Sequence, residues 1–105
     1  MAERYSVKIT VLKRFNPSEV FKTSPVTPVN PNPKACGLVK DGQEFIVDRN
    51  LRMPEGFCAS AWNSLNGRVM VLAFGGNFPW YKEKGVNISC CADGLRPVVF
   101  KLERI

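Results

Sequence analysis

Histidine is missing from this chain, and its absence removes several kinds of chemistry at once. Without histidine there can be no Ser-His-Asp triad, no Cys-His pair and no histidine-ligated zinc site. Long apolar runs are missing as well: the longest, residues 69–74, is far shorter than the ~20 residues that a membrane-spanning helix needs. The first residues are polar with no apolar segment behind them, so we expect no secretory signal, no membrane and a cytoplasmic location.

Length and composition indicate one ordinary globular domain, residues 1–105. The chain has 105 residues and is 45% hydrophobic, which suits one core and leaves no room for two domains. Its formal net charge is +6, but the basic residues are spread along the chain instead of forming runs. This pattern favours a solvated basic surface over a nucleic-acid-binding face, and leaves an unknown protein partner or a small anionic ligand as candidate partners.

Apolar and polar side chains alternate in four segments, which is typical of half-buried strands. The predicted strands cover residues 5–13, 43–48, 86–90 and 98–103. The last two flank a turn at 92–94 and should form a hairpin.

Two helices are predicted between the strands. Asn16-Pro17-Ser18-Glu19 has the pattern of a helix start, and a short helix should run from Pro17 to Lys22. From Cys58 to Leu72, apolar residues recur every three or four positions, which predicts the main helix, with Asn66-Gly67 as a possible end or kink. Four prolines fall within residues 23–35, so this segment should be an extended proline-rich loop.

The resulting order of elements is β-α-β-α-β-β. Such an order predicts an α+β fold: a small antiparallel sheet or partial barrel with one main helix packed on it.

The four cysteines, Cys36, Cys58, Cys90 and Cys91, are the most unusual feature that is present. No pair has the Cys-x-x-Cys spacing of a metal knuckle. Neighbouring residues of a strand point to opposite faces, so only one of Cys90 and Cys91 should join Cys36 and Cys58 in a shared site. Three such thiols could hold zinc or an iron–sulfur cluster, act in redox chemistry, or simply fill the core.

Cys58 is the best single candidate for a reactive, catalytic thiol. It opens the predicted main helix, where unpaired backbone N–H groups stabilise a thiolate. Burial in apolar surroundings would have the opposite effect. As a nucleophile it would need a carboxylate base, for which Asp48, Glu55 and Asp93 are candidates, so whether the chain is an enzyme stays open.

Three further residues are candidates for ligand binding. Trp62 and Trp80 could line an aromatic pocket, and Arg96 could hold an anionic group. These residues support an alternative interpretation, a non-enzymatic binding module for a protein partner or a small anionic ligand.

Several short motifs follow one another along the chain. They are GQEF at 42–45, PEGFC at 54–58 with Ala61-Trp62, FGG at 74–76, FPW at 78–80, and CCADGLRPVVFKLER at 90–104. Together with the first strand, they resemble a family of uncharacterised proteins of similar length from anaerobic bacteria and archaea. The resemblance covers the chain outside the proline-rich loop and includes all four cysteine positions. It implies no activity, but an anaerobic setting would favour thiolates and clusters.

The sequence therefore predicts a small cytoplasmic module whose loops gather Cys36, Cys58 and either Cys90 or Cys91 into one site. The site would bind zinc or an iron–sulfur cluster, or present a redox-active thiol. Arg96 and Trp80 would lie beside it.

Overall fold

One antiparallel sheet and one long helix form the core of the protein. The computed structural model describes residues 4–105. Its elements are β1 (Val7–Arg14), α1 (Pro17–Val20), β2 (Glu44–Val47), α2 (Ala59–Ala73), β3 (Val86–Cys90) and β4 (Val98–Arg104). The predicted order and the α+β fold class are confirmed, and no helix within residues 4–105 has the length and apolar character to cross a membrane.

The sheet is open, with strand order β2-β1-β4-β3 and antiparallel pairing throughout. Its two central strands, β1 and β4, come from opposite ends of the chain. The predicted hairpin of β3 and β4 is present, with Cys90 opposite Val99. Helix α2 packs across β1, β3 and β4 on one face of the sheet.

Alternation along β1 separates a core face from an open face. Val7, Ile9 and Val11 are fully buried under the helix. On the other face, Lys8 lies 3.5 Å from Glu44 of β2 and 3.4 Å from Glu103 of β4. The hydrogen bond to Glu103 and the charge of Glu44 raise the pKa of Lys8 above its ordinary value. Lys8 is therefore a charged ammonium group at neutral pH, and its two ion pairs connect β1 to β2 and β4.

The alternation of β1 breaks at a β-bulge. Val11 lies opposite Phe100 and Lys13 opposite Val99, so Leu12 is the extra residue. The bulge places Arg14 opposite Val98, on the same face of the sheet as the core. The side chain of Arg14 is therefore directed toward the face of the sheet that α2 covers, at one end of the sheet.

Helix α2 runs without interruption through Asn66-Gly67, so the possible end at this pair does not occur. Its buried stripe consists of Ala61, Leu65, Val69, Leu72 and Ala73. The helix ends in a Schellman motif. Gly75, with φ +87°, donates to the Leu72 carbonyl at 3.0 Å, and Gly76 donates to the Val71 carbonyl at 2.8 Å.

The proline-rich loop is attached to the domain through Asn16. The Asn16 backbone N–H donates to Glu19 Oε1 at 2.9 Å, which supports the single turn of α1. The Asn16 side-chain oxygen accepts the backbone N–H of Ala35 at 2.8 Å, at the far end of the loop. Helix α1 ends at Val20, before the predicted Lys22, and residues 23–35 form neither helix nor strand.

Candidate thiol pocket

Cysteines from three separate parts of the chain line one pocket. The pocket lies between the start of α2, the start of β4 and the two loops at 36–39 and 91–96, and has a volume of about 150 Å³. We call it the cysteine pocket; the lining residues that matter here are Cys36, Cys58, Cys91, Phe57, Phe100 and Arg96. All four cysteines of the chain are free thiols, and the three in the pocket are half-buried.

Cys58 is the N-cap residue of α2, as the sequence indicated. Its carbonyl accepts the N–H of Trp62 at 2.9 Å, whereas its side chain makes no capping hydrogen bond. The first N–H groups of a helix have no acceptor within the helix, and they give its N-terminus a partial positive charge. The thiol of Cys58 therefore lies beside a positive helix end and faces a cavity.

Cys91 directly follows β3 and is fixed by a reciprocal contact with the first residue of β4. The Cys91 N–H donates to the Val98 carbonyl at 3.0 Å, and the Val98 N–H donates to Cys91 Sγ at 3.3 Å. Cys90, one residue earlier, is exposed and does not line the pocket. Of the adjacent pair, the structure thus brings Cys91 to the pocket and leaves Cys90 outside it.

Cys36 is held in place by Arg14, a residue that the sequence interpretation assigned to the basic surface. Arg14 Nη1 donates to the Cys36 carbonyl at 2.9 Å, and Arg14 Nε lies 3.1 Å from Asp41 Oδ1. The bulge at Leu12 is what directs Arg14 to this side of the sheet. The sequence signal was present, because the alternation of β1 fails at Leu12-Lys13.

Replacing Arg14 with methionine is expected to make Cys36 react several-fold faster with an alkylating reagent. The substitution removes the donor to the Cys36 carbonyl and the charged partner of Asp41, which keeps only the backbone N–H at position 14, so the 36–41 segment should open more often. Site-resolved mass spectrometry of alkylated peptides measures the rate at each thiol. Lys13→Met is the matched control, because the charge of Lys13 lies beside Glu19 of α1, at 3.9 Å. Equal rates in the two variants would contradict the role of Arg14.

Asp93 and Arg96 form the polar part of the pocket lining. Asp93 Oδ1 accepts the backbone N–H groups of Arg96 at 3.0 Å and Leu95 at 2.9 Å. These hydrogen bonds, that of Arg96 foremost, hold the pKa of Asp93 below its usual value. Asp93 is therefore a charged carboxylate that organises the 93–96 turn, and it is a weak base; Asp48 and Glu55 do not line the pocket.

The two tryptophans do not join Arg96 in a common site. Trp62 is half-buried against the core, with its ring 6.4 Å from that of Phe57, so it lies behind a pocket wall and outside the lining. Trp80 follows the other end of α2, is 63% exposed, and packs against Phe78 and Tyr81 at centroid distances of 5.3 and 6.1 Å.

The thiols of the cysteine pocket do not gather to a common ligation point. Across residues 4–105, no three side chains of cysteine, aspartate or glutamate lie close enough together to hold a metal ion. Zinc requires sulfur ligands at ~2.3 Å. Binding of zinc or an iron–sulfur cluster by Cys36, Cys58 and Cys91 would require these sulfurs to move together, and Cys90 would have to cross from outside the pocket.

Comparison with family models, with curated proteins and with solved structures finds no match to this chain. The resemblance of its motifs to a family from anaerobes therefore stays a prediction. What the chain can do has to be argued from the cysteine pocket itself.

Proposed function

We propose that this protein is a small thiol-redox module, in which Cys58 attacks a small disulfide inside the cysteine pocket and a second pocket thiol completes the exchange. The observation that carries the proposal is that three free thiols, distant in sequence, line one largely apolar cavity. Free thiols persist in a reducing cytoplasm, which is the location we propose for the protein.

The position of Cys58 supports its role as the attacking thiol. Cys58 lies at the N-terminus of α2, the end of a helix that favours negative charge, and the thiolate is the nucleophilic form of cysteine. Its side chain is not used for capping, so the sulfur can turn toward a ligand. Cys36 and Cys91 lie outside the helices and strands. A disulfide with Cys58 requires one of their segments to move, against the Arg14 contact of Cys36 or the Val98 contact of Cys91.

The proposed exchange has two balanced steps. In the first, the Cys58 thiolate attacks one sulfur of a small disulfide; the S–S bond breaks, one small thiolate leaves, and a mixed disulfide with Cys58 remains. In the second, the thiolate of Cys36 or Cys91 attacks the Cys58 sulfur and releases the other small thiolate. Two protein thiols are oxidised to one disulfide, the small disulfide is reduced to two thiols, and the two protein protons pass to the departing thiolates.

The test uses the reduced protein and hydroxyethyl disulfide under anaerobic conditions. We expect an intramolecular disulfide between Cys58 and Cys36 or Cys91, identified by mass spectrometry of unreduced peptides. Cys58→Ser should slow the reaction by about tenfold or more, because it removes the proposed attacking thiol.

Cys90→Ser is the matched control, since Cys90 is the exposed thiol outside the pocket. It should leave the exchange rate unchanged. The proposal is wrong if Cys90→Ser abolishes the reaction while Cys58→Ser does not, or if all four thiols react only as fast as they do in the unfolded chain.

A further inference from the structure

We infer that the substrates of the cysteine pocket are small disulfides and thiols that carry an anionic group, and that Arg96 recognises this group. The inference rests on the proposed function and adds the class of substrate to it. A cavity of about 150 Å³ admits only a small molecule or the end of a larger one.

The walls of the pocket accept an apolar ligand body. Phe57 and Phe100 are almost fully buried, with ring centroids 5.6 Å apart, and Val98 continues the same apolar surface. The carbon atoms next to a disulfide would be in contact with these side chains while one sulfur faces Cys58. Such a surface gives little selectivity among small disulfides, because it offers no directional contact.

Arg96 supplies the directional contact. Its Nε lies 3.5 Å from Asp93 Oδ2 and its Nη1 donates to the Lys34 carbonyl at 3.4 Å. Both contacts are long, and no hydrogen bond from Nη2 occurs within residues 4–105. A guanidinium has five N–H donors in a planar fork, so the outer edge of Arg96 can bind a carboxylate with two hydrogen bonds.

The charges facing the pocket favour an anion over a cation. Asp93 contributes a carboxylate to the pocket lining. Its Oδ1 already accepts two backbone N–H groups, those of Leu95 and Arg96. Its charge offsets much of that of Arg96. The positive end of α2 remains beside Cys58, and the protein as a whole has a net charge of +6.

The experiment compares three disulfides that differ in charge: dithiodiglycolate (anionic), hydroxyethyl disulfide (neutral) and cystamine (cationic). Each rate with the reduced protein is divided by the rate of the same disulfide with mercaptoethanol, which corrects for intrinsic reactivity. We expect the corrected rate to be about tenfold higher for dithiodiglycolate than for cystamine, and the ratio to fall with added salt.

Variants separate Arg96 from the overall charge. Arg96→Gln should reduce the ratio of the corrected rates, dithiodiglycolate over cystamine, to near unity. Because the readout is a ratio within one variant, a general change in the exchange rate of that variant cancels. Arg96→Lys should retain part of the preference, since it keeps the charge but not the fork. Arg68→Gln gives the protein the same net charge as Arg96→Gln. Arg68 contacts the ring of Phe78 and does not line the pocket, so the anion preference of this variant should equal that of the wild type.

The outcomes distinguish the two proposals. If the wild type has equal corrected rates with all three disulfides, the inference is overturned and the thiol-exchange function stands. No reaction with hydroxyethyl disulfide overturns the function itself. An equal loss of preference in Arg68→Gln and Arg96→Gln would assign the effect to net charge and remove Arg96 from the site.

Discussion

Arg104→Met is expected to lower the free energy of unfolding by about 2–3 kcal/mol, which corresponds to a fall of roughly 10 °C in the melting temperature. Arg104 ends β4 and holds the C-terminus of α2. Its Nη1 donates to the carbonyls of Leu72 at 3.1 Å and Gly76 at 2.7 Å. Its Nη2 donates to Asn77 Oδ1 at 3.0 Å.

The physical reason is the loss of a charged donor at a helix end. The last carbonyls of a helix lack intrahelical donors and form its negative pole, where a cation is stabilising. Leu72 O retains the N–H of Gly75, but Gly76 O has no other donor within residues 4–105. Asn77 Oδ1 also accepts the N–H of Gly85, so the same guanidinium links the helix end to the start of β3.

Urea denaturation followed by circular dichroism measures this loss. Arg104→Lys should lose an intermediate amount, because an ammonium keeps the charge but cannot form the planar set of hydrogen bonds. Arg68→Met is the matched control: it removes an exposed arginine of α2 that contacts the ring of Phe78, and should change stability by no more than about 1 kcal/mol. Equal losses in Arg104→Met and Arg68→Met would show that the helix end does not depend on Arg104.

Local patterns in the sequence predicted the elements of the fold well. The alternation of Val7, Ile9 and Val11, and the stripe that includes Leu65 and Val69, are periodicities that can be read within a few turns or residues. Each corresponds to an element of the structure with ends close to those predicted. Helix α2 continues through Gly67 because tertiary burial of its apolar stripe outweighs the poor helix propensity of one glycine.

Pairing partners and side-chain contacts over long distances were harder to predict. Nothing local indicates that β1 pairs with β4, or that Arg14 reaches the carbonyl of Cys36, because these contacts arise only once the sheet order is known. The opposite faces of Cys90 and Cys91 predicted that only one of the two would join Cys36 and Cys58, and the structure places Cys91 in the pocket. The position of Trp80 could not be inferred, since it depends on which end of α2 lies near the pocket.

Phe100→Ala is expected to cost about 3–5 kcal/mol of stability, the largest effect that we predict for a single substitution. Phe100 is only 1% exposed, and it lies opposite Val11 of β1 and Ser89 of β3, in the middle of the sheet. Its ring also forms part of the wall of the cysteine pocket. Truncation would therefore remove a core contact and enlarge the pocket at the same time.

Two measurements check both consequences. Urea denaturation gives the loss in the free energy of unfolding, and alkylation of the folded protein gives the accessibility of each pocket thiol. We expect Cys58 and Cys91 to react several-fold faster in Phe100→Ala under conditions in which the variant is fully folded, because the cavity left by the ring opens onto their pocket. Phe100→Leu, which retains most of the apolar volume, should show smaller changes in both quantities.

Phe74→Ala is the matched control for this substitution. Phe74 is 50% exposed at the end of α2, so the same change of residue type should cost less than about 1 kcal/mol and leave the pocket thiols unaffected. A large stability loss in Phe100→Ala without faster alkylation would separate the core from the pocket. The two would then be independent features, and the apolar wall that we assign to substrate binding would have to be formed by Phe57 and Val98 alone.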